Sequence, residues 1–273
     1  MVTGRRNALG AVAISRPVVT YTIVGLCAAM FGLQLLLGND WTARFAFWPA
    51  IGALEPWRFI TSAFLHSTGF MGHILFNMLA FWQCGNLLER ALGHARFATL
   101  CLVTALGGSV IYLLMAMLMG GGPGGVAWNT PVVGASGMVF GLFGALIPIM
   151  RKTGNSARQI WGLLAINAVL GFVVPGIAWQ AHLGGLLVGL AMSWGYAYAD
   201  RLAAPRLARG SGGTGSAVMP APQAMAVARD QARSKQKVVA WVMPLLILAL
   251  LAAAAYFTYA NTGWLDLIRQ FRN

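Results

Sequence analysis

The chain has 273 residues, of which 58% are hydrophobic and only 9% charged. Soluble domains carry roughly 25% charged residues, so this composition excludes both an ordinary soluble domain and a disordered chain. The charge is lopsided, 19 Lys+Arg against 6 Asp+Glu, but the basic residues stand in short clusters between long uncharged runs. That distribution places them at the flanks of membrane spans and excludes a nucleic-acid-binding protein.

Residues 1–17, with Arg5, Arg6 and Arg16, form a short basic amino-terminal segment. A spanning helix needs about 20 mostly apolar residues, and the first such run is 18–37. It is long for a signal peptide and no clean small-residue cleavage site follows it, so it reads as a retained span. Residues 38–69 mix Asp40, Arg44, Glu55 and Arg58 with many aromatics, which suits a loop at the membrane surface. The second span covers about 70–88 and ends at Glu89-Arg90. From Phe97 to Met150 there is no charged residue and no histidine. The run from Gly120 to Gly125 breaks this stretch, giving spans at about 97–119 and 135–150.

Arg151, Lys152 and Arg158 close that pair. Pro175-Gly176 divides the next apolar stretch into spans of about 159–174 and 179–199. Residues 200–237, rich in Ala, Gly, Ser, Pro and Arg, have the composition of a flexible linker. The last span covers about 238–260, before a short tail. The expected architecture is an all-α polytopic bundle: a six-helix core over 18–199, a basic linker over 200–237, and a seventh helix within 238–273. The runs do not alternate in polarity, so a closed β-barrel is excluded. With the amino terminus in the cytoplasm, the outer segments carry only Arg44, Arg58, Arg269 and Arg272 of all the Lys and Arg. The positive-inside rule therefore puts the carboxyl terminus outside, in a plasma (inner) membrane.

Polar groups inside a bilayer are costly and mark functional sites by default. The second span holds His73 and Asn77, four apart and so on one helix face. The fourth opens with Gly134-Ala135-Ser136-Gly137, and the sixth with Ala181-His182 followed by Gly185 and Gly189. All three spans run from outside to inside, so His73, Asn77, Ser136 and His182 share one depth just below the outer surface. A transport path would spread polar groups through the bilayer. The glycines at 137, 141, 144, 185 and 189 form small-residue stripes that let helices approach closely, bringing a serine within reach of a histidine on a neighbouring helix. The six acids lie outside the spans at that depth, which excludes a bilayer pair of catalytic carboxylates. No His-Glu-x-x-His is present for zinc. Cys27, Cys84 and Cys101 lack metal spacing and read as buried small hydrophobes.

Gly134-Ala135-Ser136-Gly137, Ala181-His182 with Gly185 and Gly189, and His73-x-x-x-Asn77 resemble the rhomboid intramembrane serine proteases. Trp57-Arg58 and Gly85-x-x-x-Glu89-Arg90 with Gly93 support the resemblance, and the seventh span is similar to the six-plus-one variants. The resemblance implies a Ser136–His182 dyad without an aspartate, and an oxyanion hole from His73, Asn77 and the Ser136 N–H. It also implies transmembrane protein substrates entering from the bilayer, with no cofactor and no metal. Trp161, Phe172 and Trp179 are candidates to line that entry, with the Gly-rich segment 120–134 and the Pro175-Gly176 loop as cap and gate. Glu89 and Arg90, a span's length from the site, read as structural. Trp57-Arg58 is expected to anchor the first loop in the headgroup layer, His66 to be a loop histidine rather than catalytic support, and His94 to be solvated.

Overall fold

The computed structural model describes residues 14–120, 122–153, 177–203 and 221–263, with the isolated positions 162, 165 and 169. The described residues are helical throughout, apart from loops and one isolated antiparallel bridge between Phe47 and Val132. In chain order the helices are α1 (Val18–Phe45), α2 (Arg58–Thr61), α3 (Met71–Leu92), α4 (His94–Leu118), α5 (Ser136–Thr153), α6 (Trp179–Ala203) and α7 (Ala221–Asn261). Short 3-10 turns occupy Ser62–Phe64, Gly122–Gly124 and Ala127–Asn129. α1, α4 and the Trp241–Asn261 part of α7 are long and apolar enough to cross a bilayer. The chain is an integral membrane protein, a helical bundle of the expected class.

Burial separates the centre of the bundle from its rim. Two thirds of the apolar window of α4 is buried (67%), against 28% for α1 and 17% for α7. α4 is therefore the central post, whereas α1 and α7 turn most of their side chains outward, as helices facing lipid do. α4 owes this place to small residues. A Cβ on Gly108 would sit 3.1 Å from the Ala181 carbonyl of α6, and one on Gly107 would overlap Val188. α5 and α6 meet even more closely. A Cβ on Gly185 would fall against the Gly137 carbonyl, and one on Gly189 against the Gly141 carbonyl. Backbone lies on backbone at these points, which is how small residues drive packing where lipid removes the hydrophobic incentive.

α1 breaks at Gly38, whose φ of 80° and ψ of −169° are non-helical. The expected end of the first span at residue 37 thus coincides with a real interruption. Helix then resumes to Phe45, within the stretch expected to be loop. The amino-terminal end of α1 has no side-chain cap of its own. Glu89, fully buried at the end of α3, supplies it: its carboxylate accepts the backbone N–H of Val19 (2.9 Å) and of Thr20 (2.8 Å) and the Thr20 hydroxyl (2.6 Å). His94 pairs with the same carboxylate through Nδ1. The structural reading of Glu89 thus gains a mechanism, and His94, though half exposed, is held by the Glu89 carboxylate rather than simply solvated.

Two further expectations differ from the structure. Arg58 is buried at 5% exposure rather than lying among headgroups. Its guanidinium pairs with Glu55 and donates to the carbonyls of Ala43 and Ala46, so it ties the first loop to itself. A buried guanidinium is tolerated because these acceptors satisfy its fork of donors; only Trp57 of the pair is exposed. The carboxyl-terminal helix begins at Ala221, so 221–237 is helix rather than flexible linker. Ala, Gln, Met, Arg and Lys dominate that stretch, and all are strong helix formers. The fifth span (159–174), Trp161, Phe172 and Pro175-Gly176 lie outside the described residues, apart from single positions.

Candidate active site

A cavity of about 960 Å³ opens among α3, α4, α5 and the start of α6. Ser136, His182, His73, Asn77, Gly134 and Gly137 all line it. Three separate helices, with residues more than a hundred positions apart, thus deliver to one space the polar residues singled out by their common depth. Gly185 and Gly189 lie behind it in the α5–α6 contact, while Trp57, Arg58, Glu89 and Arg90 are elsewhere.

Ser136 is the first residue of α5. The earliest N–H groups of a helix have no intrahelical acceptor and carry the positive end of its dipole. Here Val139 donates to Ala135, which leaves the N–H groups of the preceding turn pointing toward the cavity end of the helix. Gly134 makes the approach possible. Its φ of 140° is one that L side chains rarely adopt, and a Cβ there would lie 2.9 Å from His73 Nε2 and 3.5 Å from Ser136 Oγ. The missing side chain is therefore what lets the imidazole of α3 and the hydroxyl of α5 face the same small volume. Gly134 is itself held by its N–H donating to the Ser62 carbonyl at 3.0 Å.

His182 stands in the first turn of α6, buried at 8% exposure. Its ring stacks on Phe140 with centroids 4.2 Å apart and planes at 11°. Phe140 is one turn after Ser136, so it shares the serine's helix face. The backbones also meet here: a Cβ on Gly137 would be 3.7 Å from the Ala181 carbonyl. Phe140 was not identified from the sequence. The available signal was its i+4 spacing from Ser136, which an apolar helix hides among many equivalent residues.

His73 has a defined tautomer. The Ser67 backbone N–H donates to its Nδ1 at 3.2 Å. In a neutral imidazole with Nδ1 accepting, the proton resides on Nε2, the atom directed at Gly134 and Ser136. Asn77 is buried, and its Nδ2 donates to the His73 carbonyl at 2.7 Å. An amide nitrogen has two hydrogens, so one remains for the cavity. His66 lies in the loop before α3. It is fully buried, its ring lies edge-on to His73 at 5.3 Å, and neither ring nitrogen has a hydrogen-bond partner. Burial, and secondarily the neighbouring His73, push its pKa down to about 3. Trp179, proposed for substrate entry, lines the cavity mouth.

The arrangement offers a hydroxyl, a nearby buried imidazole, and several N–H donors converging on one pocket. That is the equipment for nucleophilic acyl transfer. The comparisons with known proteins agree. Residues 53–199 match the family model described as the Rhomboid domain. The chain is 28% identical over 193 residues to Rhomboid-like protein 15 of Arabidopsis thaliana, covering 66% of this chain and 47% of that protein. It is 29% identical over 187 residues to Rhomboid protease GluP of Bacillus subtilis, covering 64% of this chain and 34% of the relative. To Rhomboid protease GlpG of Klebsiella pneumoniae it is 29% identical over 187 residues, with coverage of 64% and 62%. The match thus spans less than two thirds of each of these relatives. The matched segment contains α3, α4, α5 and α6 up to residue 199, with every residue of the cavity's polar cluster, and on that basis the chain belongs to the rhomboid family.

Proposed function

We propose that the protein is an intramembrane serine endopeptidase that hydrolyses a peptide bond in or near the transmembrane segment of membrane-protein substrates. Ser136 attacks the scissile carbonyl, and His182 takes its proton and returns it to the leaving amine; a water that His182 deprotonates then attacks the acyl-serine, and the proton goes back to Ser136 as the acid product leaves. The tetrahedral oxyanion is met by His73 Nε2–H, the second hydrogen of Asn77 Nδ2 and the Ser136 N–H. No carboxylate is needed to orient His182, because stacking on Phe140 fixes the plane of its ring. The observation that carries this reading is the convergence of Ser136, His182, His73 and Asn77 on one cavity. Acyl transfer needs these types together, whereas helix packing needs none of them.

The site opens to the outer side of a plasma (inner) membrane, with the amino terminus cytoplasmic and the carboxyl terminus outside. Cleavage then releases an extracytoplasmic domain. Among the described residues, the cavity is lined by no acidic or basic side chain apart from histidine, which suits a neutral segment of a substrate helix.

A fluorophosphonate probe tests the nucleophile directly. The folded protein in detergent is expected to become labelled, and Ser136→Ala to remain unlabelled. His182→Ala is expected to lose both labelling and cleavage of a reconstituted transmembrane substrate. Unchanged cleavage by Ser136→Ala would overturn the assignment.

A further inference from the structure

α7 lies outside the catalytic cluster, yet its outer end is anchored to the walls of the cavity. Tyr259, buried at 4% exposure near the end of an otherwise lipid-facing helix, donates its hydroxyl to the Pro49 carbonyl at 3.0 Å. Its ring meets Trp128 edge-on, with centroids 5.8 Å apart. Gly52 makes room for the phenol, since a Cβ there would lie 2.5 Å from the hydroxyl.

Both partners belong to one small unit. Ala50 donates to the Trp128 carbonyl at 3.1 Å. Phe47 and Val132 exchange both backbone hydrogen bonds, at 3.0 and 2.8 Å. Two residues beyond Val132, Gly134 donates to Ser62, and Ser136 follows. Val126, Ala127 and residues 130–134 line the cavity. The first loop and the segment entering α5 thus form a two-ply wall, whose far side rests on Tyr259.

We propose that Tyr259 is a positioning residue, through which the seventh helix holds the 126–134 wall and sets the backbone that presents Gly134 and Ser136. The proposal rests on the proteolytic reading of this site. The geometry favours it over simple anchoring of α7: the helix already packs on α6 through Met243 against Gly195, and a tether alone would not require a buried hydroxyl aimed at a loop carbonyl.

Tyr259→Phe keeps the ring on Trp128 and deletes only the bond to Pro49, and Tyr259→Leu removes both. With the full chain in nanodiscs, Tyr259→Phe is expected to lower kcat by about 3- to 10-fold, the worth of one such hydrogen bond. KM should change less than two-fold, with the thermal midpoint falling modestly because the Pro49 carbonyl loses its donor. Tyr259→Leu should lower kcat further. Hydrogen–deuterium exchange provides a readout that needs no activity: peptides covering 126–135 should exchange faster in Tyr259→Phe, and those from the inner half of α4 should not. Unaltered exchange over 126–135 would overturn the proposal even if the wild type proved inactive. Wild-type kcat in both variants would overturn it as well. A wild type that neither labels nor cleaves, with the exchange difference intact, would instead count against the proteolytic reading and leave the mechanical coupling standing.

Discussion

Ser67, on the cavity wall, meets His73 through its backbone N–H. By donating to His73 Nδ1 it fixes a proton on Nε2, converting an ambivalent ring into a donor facing the reaction space. Removing one donor of this kind costs about 2.7–4 kcal/mol of transition-state stabilisation. His73→Ala and Asn77→Ala are therefore expected to lower kcat by about 10²–10³, seen as a fall in kcat rather than a rise in KM. Gly134→Ala should be as severe as either, since the new methyl would press on His73 Nε2 in a backbone conformation that alanine resists. His66 acts on stability instead. Its folded pKa of about 3 lies below its ordinary value of 6.5, so the unfolded chain binds a proton first as the pH drops. The stability associated with this residue is whole above pH 6.5 and is lost as the pH falls from about 6.5 toward about 3. Thermal midpoints measured between pH 7.5 and 4.5 should fall less steeply in His66→Phe than in the wild type.

Among the helices, the α5–α6 contact has the least tolerance. Gly185→Ala and Gly189→Ala each drive a methyl into a facing carbonyl, and overpacking of this kind costs about 1–3 kcal/mol or more. Both should lower the thermal midpoint in detergent and reduce activity together with folded protein. Glu89→Ala differs in kind, leaving the Val19 and Thr20 donors of α1 unmet at the opposite end of the bundle. Buried donors without partners cost about 1–3 kcal/mol each, so the midpoint should drop while kcat per folded molecule holds. Much at this scale was legible beforehand. Helix ends near 18, 71, 94, 136 and 179 follow from the apolar runs and their breakers, and the glycine stripes announced the close contact. Arg58 was misplaced because an isolated arginine beside a tryptophan looks interfacial; its acceptors at Ala43 and Ala46 are backbone carbonyls, which leave no trace in side-chain identity. The helix over 221–237 was hidden by the Gly-Ser-Pro composition just before it. Phe140, Ser67 and Tyr259 were invisible for a shared reason: each matters through a spatial neighbour on another element or through its backbone.

For the molecule as a whole, the two ends of the bundle differ. One end is a cap, where the Glu89 carboxylate meets α1 and His94. The opposite end holds a largely apolar cavity ringed by loops and helix starts. The Tyr259–Pro49 bond joins positions 210 residues apart, and this separation bears on biosynthesis. A ribosome makes the serine, both site histidines and the glycine seam long before it makes the tyrosine. A nascent chain therefore carries its full complement of reactive groups while the wall beside them still lacks its last support. If the site cleaves as proposed, a chain whose final helix is not yet inserted is expected to cleave several-fold more slowly than the finished protein.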